Sequence, residues 1–291
     1  MFGKTRQGYY KQINHFEKEA LQEEVVLSAV IKTRKKAKTK RWGVRKLQTK
    51  VNKELHSTGF QIGRDALFDL LRANNMLVRK RKRKIFTTDS HHWLKKFDNL
   101  TLEKELTAPN QLWVSDMTYI LVQGDDPFYL YLITDAYSQK IVGWHLSLDL
   151  KASSAFVALK EAIRSNKGRL SELIHHSDRG VQYCSKKYTE LLKKKNIDIS
   201  MTNPASPQEN AIAERVNGIL KEEWLYDMKL ESLKIGQRKI RQIIDIYNTY
   251  RPHNSLDNKV PEEIHSLALS RHKMKRIIGK SYKYNKLEKS H

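Results

Sequence analysis

The chain has 291 residues, enough for one large domain and a smaller one, and its 55 Lys and Arg residues outweigh 32 Asp and Glu residues. The formal net charge of +23 predicts a polyanionic partner, and nucleic acid is favoured over a membrane because the apolar runs are short and the start lacks a hydrophobic signal core. A single cysteine, Cys184, excludes an internal disulfide and a cysteine-based zinc finger, so we expect a soluble cytoplasmic protein.

The first 85 residues are the basic part of the chain and predict three helices. Eleven Lys and Arg residues and no Asp or Glu lie from Lys32 to Lys53, and residues 79–84 form an unbroken basic run. Apolar residues at helical spacing indicate the end of a first helix and the buried stripes of a second and a third: Leu27, Val30 and Ile31, then Val44, Leu47, Val51 and Leu55, then Leu67, Leu70 and Leu71. Gly59 and Gly63 lie in the turn between the last two helices.

A helix, a glycine-containing turn and a helix in a basic context predict a helix-turn-helix-like DNA-binding region over residues 1–85. A small helical bundle with a solvated basic face fits the apolar pattern equally well, and the charge runs favour the DNA-binding interpretation. The predicted DNA-contacting residues of this region are Arg45, Lys46, Arg64, Arg79, Lys80, Arg81, Lys82, Arg83 and Lys84.

Residues 86–109 lack a clear period and end at a proline, which predicts a linker; residues 110–268 then form a second domain, followed by a basic tail at 269–291. Three β-rich runs begin this domain, with turn formers at Gly124–Pro127 between the first two. A helix with a serine cap at Ser153 follows, and then a strand, a helix, a strand and a long helix. This order predicts an α/β domain of the RNase H-like class.

Two aspartates lie at strand positions that invite a functional explanation. Asp116 lies in the middle of a strand between large apolar residues, so its charge must be paired, hydrogen-bonded or bound to a metal. Asp178 follows a short buried run, at the carboxyl end of a strand, where α/β folds present functional groups. Each has an ordinary alternative, which is a structural hydrogen-bonded aspartate for Asp116 and a turn aspartate for Asp178.

Glu214 lies on the predicted long helix, and the spacing around it is informative. Glu214, Asn217 and Lys221 follow Asn210 by 4, 7 and 11 residues, so the four share one helix face. An amphipathic surface helix is the ordinary explanation of such a stripe. Two aspartates on strands and one glutamate on a helix can, however, meet at one end of a sheet, and carboxylate oxygens are the ligands that Mg²⁺ prefers.

The three carboxylates predict a site for two Mg²⁺ ions, for which Mn²⁺ can substitute, with Asp116, Asp178 and Glu214 as ligands. Two such ions can activate an attacking water or 3′-hydroxyl and stabilise the leaving 3′-oxygen during phosphodiester displacement. Lys221, two turns beyond Glu214, would contact a DNA phosphate beside the ions.

The sequence around these residues resembles a known family. Asp178 and Glu214 are separated by 35 residues and are flanked by HSDRGVQY and SPQENAIAERVNGILKEE. With WVSDMTYI, DAYSQKIVGW and YNTYRPHNSL, these strings resemble the D,D(35)E pattern of retroviral-integrase-like transposases, and more narrowly the OrfB-type transposase of the insertion-sequence-three family of bacterial mobile elements. The similar strings cover most of residues 110–256, and WGVRKL resembles part of that family's second helix-turn-helix region.

This resemblance implies an integrase-core DNA transposase of the bacterial nucleoid, which cleaves one strand at each element end and transfers the exposed 3′-hydroxyl to double-stranded target DNA. The residues that carry over are the metal ligands Asp116, Asp178 and Glu214, the basic Lys221, and Gln208 and Asn210 as residues close to DNA. Retroviral integrases also have a His2Cys2 zinc module, which a chain with one cysteine excludes. Joining two ends implies a homodimer or a larger assembly, and in this family an upstream reading frame supplies a DNA-binding protein as a partner or a fusion.

Two other functions remain open from the residues themselves. A nuclease of the same fold that only hydrolyses would use the same ions, because water and a 3′-hydroxyl are activated in the same way. A DNA-binding accessory subunit would need the partner frame to become active.

Several further residues compete for a role in the site. Glu209 is a rival third ligand, disfavoured because it lies beside Pro207 in a loop. His176 is favoured over His175 as an orienting or phosphate-contacting group, because adjacent strand residues point to opposite faces. Asp135 is predicted to have a turn or hydrogen-bonding role, and the five tryptophans are predicted to lie in the core.

Overall fold

The computed structural model describes residues 6–36, 41–78, 93–102, 104–122, 125–166, 170, 172–204, 206–228 and 230–267. The chain divides into two compact units, Met1–Lys82 and Arg83–His291. The basic run at 79–84 and the basic tail from residue 269 lie outside the described residues. Within the described ranges, no helix is both long enough and apolar enough to cross a membrane.

The first unit contains the three helices that the apolar spacing predicted. They are α1 (Arg6–Lys36), α2 (Val44–Leu55) and α3 (Arg64–Ala73). Their buried faces meet in a small apolar core that includes Val30, Trp42, Leu47, Val51, Leu67 and Leu71. Between α2 and α3 the chain turns through Gly59, whose φ of 68° suits a glycine. Asn52 holds this turn, because its side chain accepts a hydrogen bond from Ile62 N at 3.0 Å and donates one to Ile62 O at 3.1 Å.

The second unit is built on a five-stranded sheet in the order β3-β2-β1-β4-β5. Its strands are β1 (Leu112–Val122), β2 (Asp125–Asp135), β3 (Ile141–Ser147), β4 (Ile174–Ser177) and β5 (Asp198–Met201). Its helices are α4 (Ala152–Ser165), α5 (Val181–Cys184), α6 (Lys186–Lys194), α7 (Ala211–Glu223) and α8 (Leu233–Thr249). Strands β1, β2 and β3 pair antiparallel, whereas β4 pairs parallel with both β1 and β5. This arrangement confirms the predicted RNase H-like class.

Helices cover both faces of this sheet because successive strand residues point to opposite sides. On one face, Trp113 and Tyr131 pack with apolar residues of α4 and α6. On the other face, Leu130 and Leu132 pack with apolar residues of α7 and α8. The sheet is therefore covered by helices on both sides.

Two local predictions about strands and tryptophans are wrong. Turn formers at Gly124–Pro127 were expected to separate the first two strands, but β2 already begins at Asp125, which pairs with Val122 of β1. Trp93 is 92% exposed instead of buried. The described residues around Trp93 form no helix or strand that could cover its ring.

The predicted serine cap of α4 is also wrong. The N-cap residue is Lys151, which makes no side-chain cap hydrogen bond. Ser153 lies inside the helix, as does Ser154, whose hydroxyl donates to Asp149 Oδ1 at 3.0 Å. Ser154 therefore stabilises the loop that enters the helix, since a short hydroxyl side chain can satisfy either a cap or a neighbouring carboxylate.

Part of the predicted linker is attached to the second unit, although residues 93–102 form no helix or strand. Leu100 N donates to Ser200 Oγ at 2.9 Å, and Met201 N donates to Asp98 O at 3.3 Å. Both contacts reach β5, the edge strand of the sheet. Backbone contacts of this kind with an edge strand leave no periodic apolar pattern in the sequence, which is why the sequence predicted a linker here.

Gly143 of β3 lies unusually close to α4. A Cβ at this position would lie 2.5 Å from Ala158 O and 2.6 Å from Ala162 Cβ, and the helix backbone cannot easily yield. We expect Gly143→Ala to lower the free energy of unfolding by about 2 kcal/mol, as for other overpacked cores. Gly236→Ala is the control, because its Cβ would meet only flexible side-chain ends, Leu146 Cδ2 at 2.8 Å and the two Leu230 methyl groups at 3.5 and 3.7 Å. Urea denaturation that found equal losses for the two variants would contradict this account of the β3–α4 contact.

Candidate active site

One candidate aspartate lies on β1, and the other directly follows β4, the parallel neighbour of β1. Ser115 of β1 is the register partner of Ser177 of β4, so the residues that follow them, Asp116 and Asp178, lie at the same level. Asp116 is in the middle of β1, whereas Asp178 directly follows the end of β4. The parallel pairing thus brings together two carboxylates that are far apart in the sequence.

Asp116 is half-buried, and both of its carboxylate oxygens accept hydrogen bonds. Met117 N donates to Oδ1 at 2.8 Å, and Asn217 Nδ2 donates to Oδ2 at 2.7 Å. Burial raises the pKa of Asp116 from 3.8 to about 7, and the negative charge of Asp178 adds to the rise. The two hydrogen bonds lower the pKa in part, and the charge of Glu214 raises it a little further. The two hydrogen bonds therefore do not fully compensate the negative charge of the Asp116 carboxylate.

Asp178 is held by the turn that follows β4. Its Oδ1 accepts a hydrogen bond from Gly180 N at 3.0 Å. A Cβ at Gly180 would lie 3.0 Å from this oxygen and 2.5 Å from Gln182 Nε2. Glycine at position 180 therefore leaves the room that the carboxylate and the neighbouring amide occupy.

Glu214 lies in the first turn of α7, and its side chain is exposed. The amides on either side of it fasten the helix to β1. Asn210 Nδ2 donates to Ser115 O at 3.2 Å, and Asn217 Nδ2 donates to Asp116. The helix face that the sequence predicted therefore lies against β1 beside Asp116, with Glu214 between its two anchoring residues.

The contact of Asn217 with Asp116 is the feature that sequence reasoning missed. Asn217 was placed on the stripe with Glu214 but was assigned no role. A signal was available, because an amide one turn beyond a candidate ligand, on the same face, can reach a carboxylate that faces the helix.

The structure places the DNA-contacting candidates of the second unit differently from one another. Gln208 is exposed in the turn before α7, and Lys221 is half-buried near the end of α7. Asn210 is only 4% exposed, so its side chain is not at the surface of this structure, and its place close to DNA stays a prediction. Its amide is turned inward to the Ser115 carbonyl, since a buried backbone oxygen requires a donor.

In the first unit, Arg45 and Arg64 are exposed, and Lys46 is half-buried. Arg64 Nε also pairs with Asp65 Oδ1 at 2.8 Å on the surface. The candidates Arg79, Lys80, Arg81, Lys82, Arg83 and Lys84 lie outside the described residues.

The carboxylates form a suitable donor set for a metal, although their oxygens do not converge on a single point. In the described part of the chain, no three His, Cys, Asp or Glu side chains are grouped so that they could hold one ion. The chemistry of the set nevertheless fits a hard divalent cation, which prefers carboxylate oxygens. The raised pKa of Asp116 is a second sign of fit, because a cation between Asp116 and Asp178 would relieve their mutual repulsion.

Two rival groups are engaged elsewhere. The Glu209 carboxylate accepts hydrogen bonds from Asn203 N at 2.6 Å and from Asn99 Nδ2 at 2.7 Å. His176 is fully buried, and its Nδ1 is hydrogen-bonded to Ser200 Oγ at 2.8 Å. Because the His176 ring is buried, it is not exposed for the predicted contact with a phosphate.

Asp135 has the hydrogen-bonding role that was predicted for it. It is fully buried, its Oδ2 accepts from Asn110 N at 2.7 Å, and its Oδ1 accepts from Ser138 N at 2.8 Å. These bonds join the start of β1 to the turn after β2, so the carboxylate of Asp135 serves the fold of the sheet.

The chain is similar to integrase core domains and to proteins of bacterial insertion elements. Residues 107–207 match one integrase core domain model, and residues 195–261 match another. The chain is 33% identical over 274 residues to the insertion element IS600 uncharacterized 31 kDa protein of Shigella sonnei, which covers 92% of this chain and 98% of that protein. It is 29% identical over 220 residues to the transposase InsF for insertion sequence IS3A of Escherichia coli, which covers 75% of each. Among solved structures, the HTLV-2 integrase catalytic core domain in complex with magnesium, in its trimeric form, has a TM-score of 0.43 and 20% identity and covers 54% of this chain and 97% of that one.

The strand order and the matched core models together define the class, an RNase H-like enzyme that transfers polynucleotide strands. Within that class, the chain belongs to the insertion-sequence-three family of DNA transposases, with a relative that aligns over nearly the whole of both chains. Such enzymes cleave and join DNA at the ends of bacterial insertion sequences.

The raised pKa of Asp116 predicts how the stability of the metal-free protein depends on pH. The folded chain holds the Asp116 proton more tightly than the unfolded chain does, so stability is lost as the pH rises from about 4 to about 7. Asp116→Asn removes this titration, and we expect its free energy of unfolding, relative to the wild type, to rise by about 4 kcal/mol between about pH 4 and about pH 8, because the pKa differs by about three units. Urea denaturation in the presence of a chelator measures the difference.

The new amide at position 116 can be accommodated. Asn217 Oδ1 has no hydrogen-bond partner among the described residues and could accept from it after rotation of the Asn217 side chain. Asp245→Asn, a change at an exposed position of α8, is the control and should leave the difference near zero. A constant difference between wild type and Asp116→Asn across this pH range would contradict the prediction.

Proposed function

We propose that the chain cleaves one DNA strand at each end of its insertion sequence and joins the exposed 3′-hydroxyl to target DNA at a metal site of Asp116, Asp178 and Glu214. The observation that supports this site most directly is the parallel pairing of β1 with β4, which sets the two aspartates at the same level. A half-buried carboxylate pair costs free energy unless a cation or a proton compensates it. Glu214 would join the pair through its exposed and extendable side chain.

Two Mg²⁺ ions suit this donor set, and Mn²⁺ would bind the same oxygens. When bound, such ions activate the attacking oxygen and stabilise the leaving oxygen of the phosphodiester. The protein's part is to hold the ligands: Met117 and Asn217 orient Asp116, and the Gly180 amide orients Asp178. Lys221, on the same helix face as Glu214, would contact a phosphate of the bound strand.

The wider DNA contacts belong in this proposal mainly to basic residues. Arg45, Lys46 and Arg64 of the first unit, the run at 79–84 and Gln208 before α7 would contact double-stranded DNA of the element ends or the target. Joining two ends requires two active sites, so the active form would be a homodimer or a larger assembly. A DNA-binding protein from an upstream reading frame would be its partner or fusion, and the nucleoid its place of action.

Removing one charge from the aspartate pair tests the site. We expect Asp178→Asn to lower the rate of joining a labelled element end to target DNA by a factor of about 1,000 or more, because one metal ligand is lost. Glu214→Gln should act in the same direction, and duplex binding should be retained by both. The matched control is Asp198→Asn, an exposed aspartate at the opposite end of the parallel strands.

Joining by Asp178→Asn at the wild-type rate would contradict the assignment. Hydrolysed ends without any joined product from the wild type would favour the nuclease alternative instead.

Salt titration tests the basic surface. Because lysine and arginine contacts release counterions from DNA, the binding constant should fall steeply as salt increases. Arg45→Gln should reduce the slope of log K against log salt by about 1, whereas Lys186→Gln, on the exposed face of α6, should leave it unchanged. Fluorescence anisotropy with a labelled duplex measures both slopes. A flat salt dependence of the wild type would contradict an extended electrostatic contact.

A further inference from the structure

Glu209 lies in the turn directly before α7, and both of its oxygens are engaged. Oε2 accepts from Asn203 N at 2.6 Å and from Asn99 Nδ2 at 2.7 Å, while Oε1 accepts from Asn203 Nδ2 at 3.1 Å. The Asn203 backbone N–H makes the largest contribution to a lowered pKa of Glu209. The carboxylate is therefore held as an acceptor of three hydrogen bonds.

These bonds connect two segments that are distant in the sequence. Asn99 belongs to the segment 93–102, and its own Oδ1 accepts from Thr101 N at 2.8 Å and from Thr101 Oγ1 at 2.7 Å. The Asn99 side chain is thus fixed before it reaches Glu209. Asn203 lies just beyond β5, so Glu209 ties a segment that precedes the matched integrase core to the loop that follows the last strand.

The turn that contains Glu209 continues directly into the helix that carries Glu214. Residues Pro207–Asn210 form a 3₁₀ turn, and α7 begins at the next residue. Asn210 at the end of this turn donates to the Ser115 carbonyl of β1. Because the turn is short and helical, a displacement of Glu209 would be transmitted to the first turn of α7, where Glu214 lies.

We infer that Glu209 is a positioning residue for strand transfer, because it ties Asn99 and Asn203 to the turn that runs directly into α7 and thereby holds the start of the helix that carries Glu214. This inference rests on the proposed roles of Glu214 and Asp116. Glu209 acts through hydrogen bonds and is not itself a metal ligand, since its two oxygens are already held by Asn99 and Asn203. We call the three residues Asn99, Asn203 and Glu209 the latch.

Substitutions in the full chain separate positioning from metal binding. Glu209→Leu removes every acceptor of the latch, whereas Glu209→Gln keeps one oxygen for the two donors at Oε2, and the Asn203 amide can rotate to meet the new NH2 group. We expect Glu209→Leu to lower kcat for strand transfer about tenfold with little change in KM for DNA, and Glu209→Gln to stay within about threefold of the wild type. A metal ligand would instead lose its function in both variants.

A substitution of Asn99, on the other side of the contact with Glu209, tests the inference independently. Asn99→Asp places a carboxylate against Glu209, and we expect a loss of kcat similar to that of Glu209→Leu. Combining Asn99→Asp with Glu209→Gln removes the repulsion, so the double variant should be faster than Asn99→Asp alone. If Asn99→Asp were slow only because it unfolds, the second substitution would not be expected to restore kcat. Thermal unfolding of each variant measures its stability separately.

Hydrogen exchange of residues 203–213 gives a readout that does not depend on activity. We expect faster exchange there in Glu209→Leu and Asn99→Asp than in the wild type, and no change in Glu190→Leu, a control at an exposed position of α6. Wild-type exchange and wild-type kcat in Glu209→Leu would overturn the inference, as would equal inactivity of Glu209→Gln and Glu209→Leu. If the wild type itself joined no DNA, the proposed function would fail, while the exchange data would still decide whether the latch holds this turn.

Discussion

Two carboxylates at one level of a sheet repel each other, and the rest of the fold must supply the free energy that keeps them there. The backbone pairing of β1 with β4 supplies it, because Asp116 and Asp178 directly follow residues that are partners in the parallel register. Around them the described contacts provide donors, namely Met117 N, Asn217 Nδ2 and Gly180 N. The negative charge that remains, seen in the raised pKa of Asp116, is what a divalent cation would satisfy.

Helix α7 is fastened to the sheet without using the charge of Glu214. Asn210 and Asn217 hold its first two turns through amide hydrogen bonds, and so Glu214 is placed while its own carboxylate stays exposed. At the other end of the helix, Glu223 forms a buried two-bond ion pair with Arg251 at 3.0 and 2.8 Å. Such a pair resists sliding of the helix, because separating it would leave buried charges without a partner.

The sequence errors have a common physical origin. Glycine, proline, aspartate and serine each serve more than one local purpose, so turn formers did not fix where β2 begins, and a serine did not cap α4. The hydrogen bond of the Asn210 amide to a backbone carbonyl likewise could not be predicted from the motif that contains it. Local composition indicates which groups a residue can bond, and its neighbours in space decide which bond forms.

The sequence alone determined the class of fold, the three helices before it and the spacing that sets Glu214 on one face with Asn210 and Asn217, because alternation and helical period are local properties. Only the tertiary structure decided the register of β1 against β4 and the partners of Asn217 and Glu209. These contacts join residues 101 and 110 positions apart. Their geometry depends on strand register and on the docking of α7, and short-range spacing encodes neither.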